Sequence, residues 1–90
     1  MSISESFTGV GAGTKTLVLN KKPVNVSVVG LSAGVGTVEL QRRNLAGVWV
    51  VAKSMVEDTE EVVISGHKGQ LYRFNCATHT SGTFNCELGG

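Results

Sequence analysis

Apolar and polar positions alternate with period two along most of this chain, and no long window places apolar side chains at helical spacing. Leu17-Val18-Leu19 is a short apolar run. Asn20-Lys21-Lys22-Pro23 closes it as a turn, because Pro23 lacks the N–H that a central strand would use. In Val24-Asn25-Val26-Ser27-Val28 valines alternate with small polar residues, which predicts a strand with one face packed inward, ended by the loose turn Gly30 to Gly36. Val38, Leu40 and Arg42 alternate with Thr37, Glu39 and Gln41 as far as Asn44-Leu45-Ala46-Gly47, the tip of a predicted hairpin. Its return arm, Val48-Trp49-Val50-Val51-Ala52, is apolar on both faces and so predicts a strand covered once by the core and once by a loop or another chain.

Glu57-Asp58-Thr59-Glu60-Glu61 reads as a solvated connector, Val62-Val63-Ile64 as a short strand and Gly66-His67-Lys68-Gly69 as a turn. Tyr72, Phe74 and Cys76 share one face of the next strand, and Phe84, Cys86 and Leu88 one face of the last, with Thr78 to Thr83 turning between them as a hairpin. A further short strand fits Ile3 to Phe7. Seven or eight closely spaced strands without a helix predict an all-β fold, a small antiparallel β-sandwich of jelly-roll or Ig-like type. Its predicted core is Val26, Val28, Val38, Leu40, Phe74, Cys76, Phe84 and Cys86. Glycine-rich Gly9 to Gly13 predicts that residues 1–15 form a flexible N-terminal arm or linker and that residues 16–90 form the sandwich domain.

Composition narrows the function classes. Ninety residues fit one domain, and a net charge of +1 lacks the basic footprint of a nucleic-acid binder. Charged residues make up 17%, against roughly 25% in ordinary soluble proteins, which predicts a weakly charged surface. MSISESF has neither a basic n-region nor an apolar h-region, so manufacture in the cytosol is expected, and no apolar run is long enough for a membrane span. Gly9 to Thr16 fails as a phosphate loop, since Thr14 stands where glycine must precede the lysine and no helix follows.

Two readings of Cys76 and Cys86 stand open: a bridge across one hairpin, or two reduced core thiols, the latter favoured by a cytosolic start and only two cysteines. His67 and His79 read as solvated turn residues without a nucleophile or acidic partner. Glu57, Asp58, Glu60 and Glu61 lack the ligand spacing and central glycine of a calcium loop. The expectation is therefore no enzyme, no cofactor and no metal.

Three segments carry a resemblance: Ser6-Phe7-Thr8-Gly9-Val10-Gly11; Val24 to Val28 with Gly36 to Arg42; and Leu71-Tyr72-Arg73-Phe74-Asn75-Cys76 with Thr80-Ser81-Gly82-Thr83-Phe84-Asn85. Together they resemble small β-sandwich virion proteins of tailed bacteriophages and prophages, of the capsid decoration or cement type. The tyrosine-arginine strand and the threonine-serine-glycine-threonine turn are the most specific marks. The chain departs at Arg43 to Trp49, where Asn44-Leu45-Ala46-Gly47 replaces the group's usual serine-phenylalanine-aspartate-glycine-glycine type of turn.

The resemblance implies a structural protein of the virion, a homo-oligomer whose partners are other virion proteins, the major capsid protein first, with neither nucleic acid nor membrane as partner. It implies contacts through strand edges, turns and the arm, with Phe7, Val10, Trp49, Val51 and His79 as candidate interface residues. A neck, adaptor or tail ring component is the alternative. A glycan- or receptor-binding module is another, and it requires Trp49, Tyr72 or His79 to group in a shallow exposed site.

Overall fold

The computed structural model describes residues 2–19, 23–32, 34–63 and 69–89. In chain order the strands are β1 (Ser2–Phe7), β2 (Gly11–Ala12), β3 (Leu17–Leu19), β4 (Val24–Val29), β5 (Gly36–Arg43), β6 (Trp49–Met55), β7 (Thr59–Val63), β8 (Gln70–His79) and β9 (Phe84–Gly89). Seven, β1 among them, lie where the sequence predicts a strand, with ends shifted by a few residues. Thr59 to Glu61, expected in a connector, open β7 instead. The predicted turns at 20–22 and 66–68, with His67 and Ile64, fall outside the described residues.

Pairing follows one rule. The chain doubles back on itself as a long antiparallel hairpin, β1 with β9, β2 and β3 both with β8, β4 with β7, and β5 with β6. That hairpin then wraps, so that β9 also pairs β4 and β8 also pairs β5. Two sheets result, β1-β9-β4-β7 and β2-β8-β5-β6, with β3 following β2 along the same side of β8. This is the jelly-roll arrangement. It excludes the Ig-like alternative, in which the last two strands share a sheet, because here β8 and β9 belong to opposite layers.

The core lies between the layers. Val26, Val28, Val38, Leu40, Phe74, Cys76, Phe84 and Cys86 are all buried in it, joined by Leu17, Leu19, Leu31, Met55, Tyr72 and Leu88. Two glycines let the layers close at one end. Gly30 sits at φ +85°, where a Cβ would stand 2.3 Å from the Thr83 carbonyl oxygen, and a Cβ on Gly36 would stand 2.6 Å from the Phe84 ring.

The N-terminal residues are part of this fold, not an arm. Ser2 to Phe7 pair with β9 over the whole strand, Ile3, Glu5 and Phe7 sharing the inward side with Leu88, Cys86 and Phe84. Phe7, expected at an interface, is 7% exposed and belongs to the core. Gly13 donates its N–H to the Phe74 carbonyl at 2.8 Å, so the glycine-rich stretch is an edge lane along β8. The short strand expected at Ile3 to Phe7 is present, but its inward acid Glu5 gives no sign of a core face, and local composition cannot show that β9 is its partner.

Removal of residues 1–13 is therefore expected to collapse the cooperative unfolding transition. The loss of the Phe7 ring alone is worth roughly 3–5 kcal/mol, a large share of the roughly 5–15 kcal/mol that stabilises a small domain. Urea titration followed by circular dichroism tests this, and an unchanged midpoint would restore the arm.

Candidate interaction face

Cross-strand partners share a face, so the registers fix which side chains point outward from the five-stranded sheet. Gln41 stands opposite Arg73 and Glu39 opposite Asn75 on the β5·β8 pair. On the β5·β6 pair, Arg43 opposes Trp49, Gln41 opposes Val51 and Glu39 opposes Ser54. Val18 opposes Leu71 at the far side. Two bulges tune these faces: Ala52 is extra on β6, and Ala77 is extra on β8.

The outward side chains bind one another across three strands. The Arg73 guanidinium lies 4.3 Å from the centre of the Trp49 ring, reaching across β5 to do so. Its Nε donates to Gln41 Oε1 at 2.8 Å, Gln41 Nε2 donates to Glu39 Oε1 at 3.1 Å, and Asn75 Nδ2 donates to the same oxygen at 3.0 Å. All five residues are half-buried. This ladder is preorganised: Arg73, Gln41, Glu39 and Asn75 each make at least one hydrogen bond within the face before anything binds. Beside it Val18 and Val51 are 48% and 49% exposed, two methyl-bearing surfaces that the chain itself leaves uncovered.

The β5–β6 tip adds a rigid projection. Asn44 Oδ1 accepts the Ala46 and Val48 N–H groups, each at 3.0 Å, and Arg43 Nε donates to the Gly47 carbonyl at 3.2 Å. The turn so fixed holds Leu45 92% exposed, with Val48 exposed beside it.

The sheet edges carry features that disfavour strand addition. Lys53 on β6 and Glu61 on β7 occupy inward positions at the open flank of the sandwich and form an ion pair at 2.7 Å between the layers. On the opposite flank the inward Glu5 accepts the Lys15 N–H at 2.7 Å, and Lys15 Nζ donates to the Ser4 carbonyl at 2.8 Å. β3 is three residues long. Inward charges, a bulge and a very short strand are the devices that keep edges from templating other chains. Beneath β6 an open hollow of about 460 Å³ is lined by Leu40, Arg42, Val63 and Tyr72, a mouth of the core at the same flank.

The candidate residues scatter. Trp49 and Val51 sit together on the outward face, Val10 is 69% exposed in the β1–β2 turn, and Phe7 is in the core. His79 is not a solvated turn residue: the Ala77 bulge inverts the side on which β8 residues point, and the His79 ring lies 5.0 Å from that of Phe84, with Nε2 2.7 Å from the Gly82 carbonyl oxygen. Tyr72 is buried, its hydroxyl 3.3 Å from Gln70 Oε1. Trp49, Tyr72 and His79 therefore do not form the shared shallow site that a glycan module would need. Arg73, marked in the sequence only by the tyrosine-arginine resemblance, and Gln41, Glu39 and Asn75 are not among the candidate contact residues, although the same period-two pattern that buries Phe74 and Leu40 places them outward.

The thiols also differ from the hairpin geometry expected of them. Residues 80–83 cross from one layer to the other, so Cys76 and Cys86 face the core from opposite sheets, both unbridged and buried. Cys76 Sγ lies 3.3 Å from the Thr78 carbonyl oxygen, and burial pushes its pKa up. Burial, then the neighbouring Cys76 and Glu5, push Cys86 up to about 12. Neither is a nucleophile at neutral pH. Among the described residues no three His, Cys, Asp or Glu side chains gather as a metal site.

No protein-family model matches the sequence, and no curated protein matches it. The fold has a solved counterpart. The crystal structure of SPBc2 prophage-derived protein YomS aligns with a TM-score of 0.60 over 99% of this chain and 94% of that one, at 12% sequence identity. At such identity the likeness establishes a shared sandwich from end to end, and a fold alone does not carry a function.

Two outcomes follow for this face and core. Arg73→Ala should shift the emission of Trp49, the sole tryptophan, while costing about 0.5–1 kcal/mol in stability; identical spectra would place the guanidinium off the ring. Cys86 ionises in the unfolded chain near pH 8.5, whereas the folded thiol holds its proton to about 12. Stability from this residue is thus present below roughly pH 8.5 and is lost as pH rises toward about 12. Urea midpoints measured from pH 7.5 to 10.5 should fall with pH, less steeply in Cys86→Ala.

Proposed function

We propose that this chain is a non-enzymatic structural protein of a phage virion, a capsid decoration (cement) protein that binds the outer shell as a symmetric oligomer and stabilises it. The observation that carries the reading is the unfinished surface. A small, weakly charged sandwich leaves a preorganised Trp49–Arg73 face and a rigid Leu45–Val48 tip uncovered while its edges are shut. Such surfaces are costly for a free monomer and useful in a subunit whose apolar patches are covered on assembly. The end-to-end likeness to a prophage-derived protein supplies the setting.

Shell attachment is assigned to the tip. Leu45 stands clear of the sandwich on a turn that needs no reordering on binding, so its apolar area contributes without a large entropic cost. Weak contacts of this kind add up when many copies bind one lattice. The alternative of a neck or tail ring calls for head-to-tail contact between two different complementary patches. The decoration reading is supported by the Leu45–Val48 tip and the Trp49–Arg73 face standing on the same sheet, although Val29 and Val62 are exposed on the other one.

The test is co-sedimentation of the purified protein with shells of its phage, together with imaging of intact particles. Wild-type protein should pellet with shells at high copy number. Leu45→Asp should stay folded and remain in the supernatant. Location in a neck or tail ring, or unaltered binding by Leu45→Asp, would overturn this assignment.

A further inference from the structure

We propose that the outward face of the five-stranded sheet is a self-association surface, on which a second copy of this chain docks about a twofold axis with Arg73 of each copy against Glu39 of the other. The inference rests on the reading of this chain as an assembling protein and says which surface joins its copies.

The pattern of charge on the face points to a second copy. Arg73, Gln41, Glu39 and Asn75 form a four-cornered patch at the centre of the sheet, Gln41 beside Arg73 on one row and Glu39 beside Asn75 on the next. The cation and the anion therefore occupy one diagonal and the two amides the other. A twofold axis lying in the contact plane along the amide diagonal exchanges the ends of the charged one. Each guanidinium then meets a carboxylate, and each amide meets its own counterpart, which offers both a donor and an acceptor. A surface of this kind is complementary to itself, the condition an isologous dimer must meet.

Three further features favour burial. The polar groups are already paired within the face, Glu39 by two amide donors and Arg73 by Gln41 and the Trp49 ring, so covering them strands no unpartnered charge. Trp and Arg are the residue types that dominate binding energy at interface centres, and here they are in contact, flanked by exposed Val18 and Val51. The two long extents of the molecule, 36 and 25 Å, leave room on one side for a contact of standard size, roughly 800 Å² per partner. Strand addition, the other common route to a β dimer, meets charged or shortened edges on both flanks.

Charge exchange tests the contact. Sedimentation velocity of the full chain over a wide concentration range should show a reversible dimer. Arg73→Glu and Glu39→Arg should each raise its dissociation constant at least tenfold. Mixing these two variants should restore dimers, because in the mixed pair every contact on the charged diagonal again joins opposite signs. Recovery on mixing separates a contact between copies from damage within one copy, since a misfolded subunit is not repaired by another; circular dichroism of each variant checks the fold directly. A wild-type monomer throughout, dimers indifferent to either substitution, or no recovery in the mixture would overturn the inference. If wild-type monomers still pellet with shells, this surface assignment fails and the decoration role stands; if dimers form as described but never bind shells, the reverse holds.

Discussion

Everything in this molecule hangs on the pleat of β8. The strand is paired on both sides, by β2 and β3 along one and by β5 along the other, and from Gln70 to Cys76 its side chains alternate between two destinations. Tyr72, Phe74 and Cys76 fill the space between the layers, while Leu71, Arg73 and Asn75 build the outward face. A one-residue slip would send the phenylalanine into water and the arginine into the core, so the hydrophobic pressure that fixes the core register also fixes the geometry of the face. The precision of the ladder from Trp49 to Asn75 is in that sense a by-product of packing.

Charge in this chain is sparse and serves boundaries. Lys53 with Glu61 and Lys15 with Glu5 close the two open flanks, where unpaired strand groups would otherwise recruit other chains. Exposed ion pairs of this sort add little to stability, so their value lies in where they stand. Val18, Val51, Leu45 and Val48 are exposed on the five-stranded sheet and its hairpin tip, while Val29 and Val62 are exposed on the four-stranded sheet and Val10 and Val56 in turns. The two thiols are buried between the sheets, and burial favours their protonated form.

The jelly roll shared with a prophage-derived protein at 12% identity shows how much of such a fold is specified by pattern and how little by residue identity. Alternation, glycines at close approaches and a volume-filling core suffice to reach the same wrap. What distinguishes one such protein from another is then what the outward positions carry, and here they carry a self-paired polar patch ringed by valines.

The sequence by itself determined the class of the fold, most strand positions and the central core, because period-two burial is a local signal that each strand writes independently. It suggested a strand at Ile3 to Phe7 but determined neither the pairing of residues 2–15 nor the layer to which each of the last two strands belongs. SISESF is a strand only because β9 lies beside it, and residues 80–83 form an arch only because Phe84 packs under Gly36 and His79. The interaction face was half visible: a doubly apolar arm marked Trp49 and Val51, yet Arg73, Gln41, Glu39 and Asn75 are far apart along the chain. Their meeting is a property of register across three strands, fixed by long-range pairing and two bulges that no local pattern records.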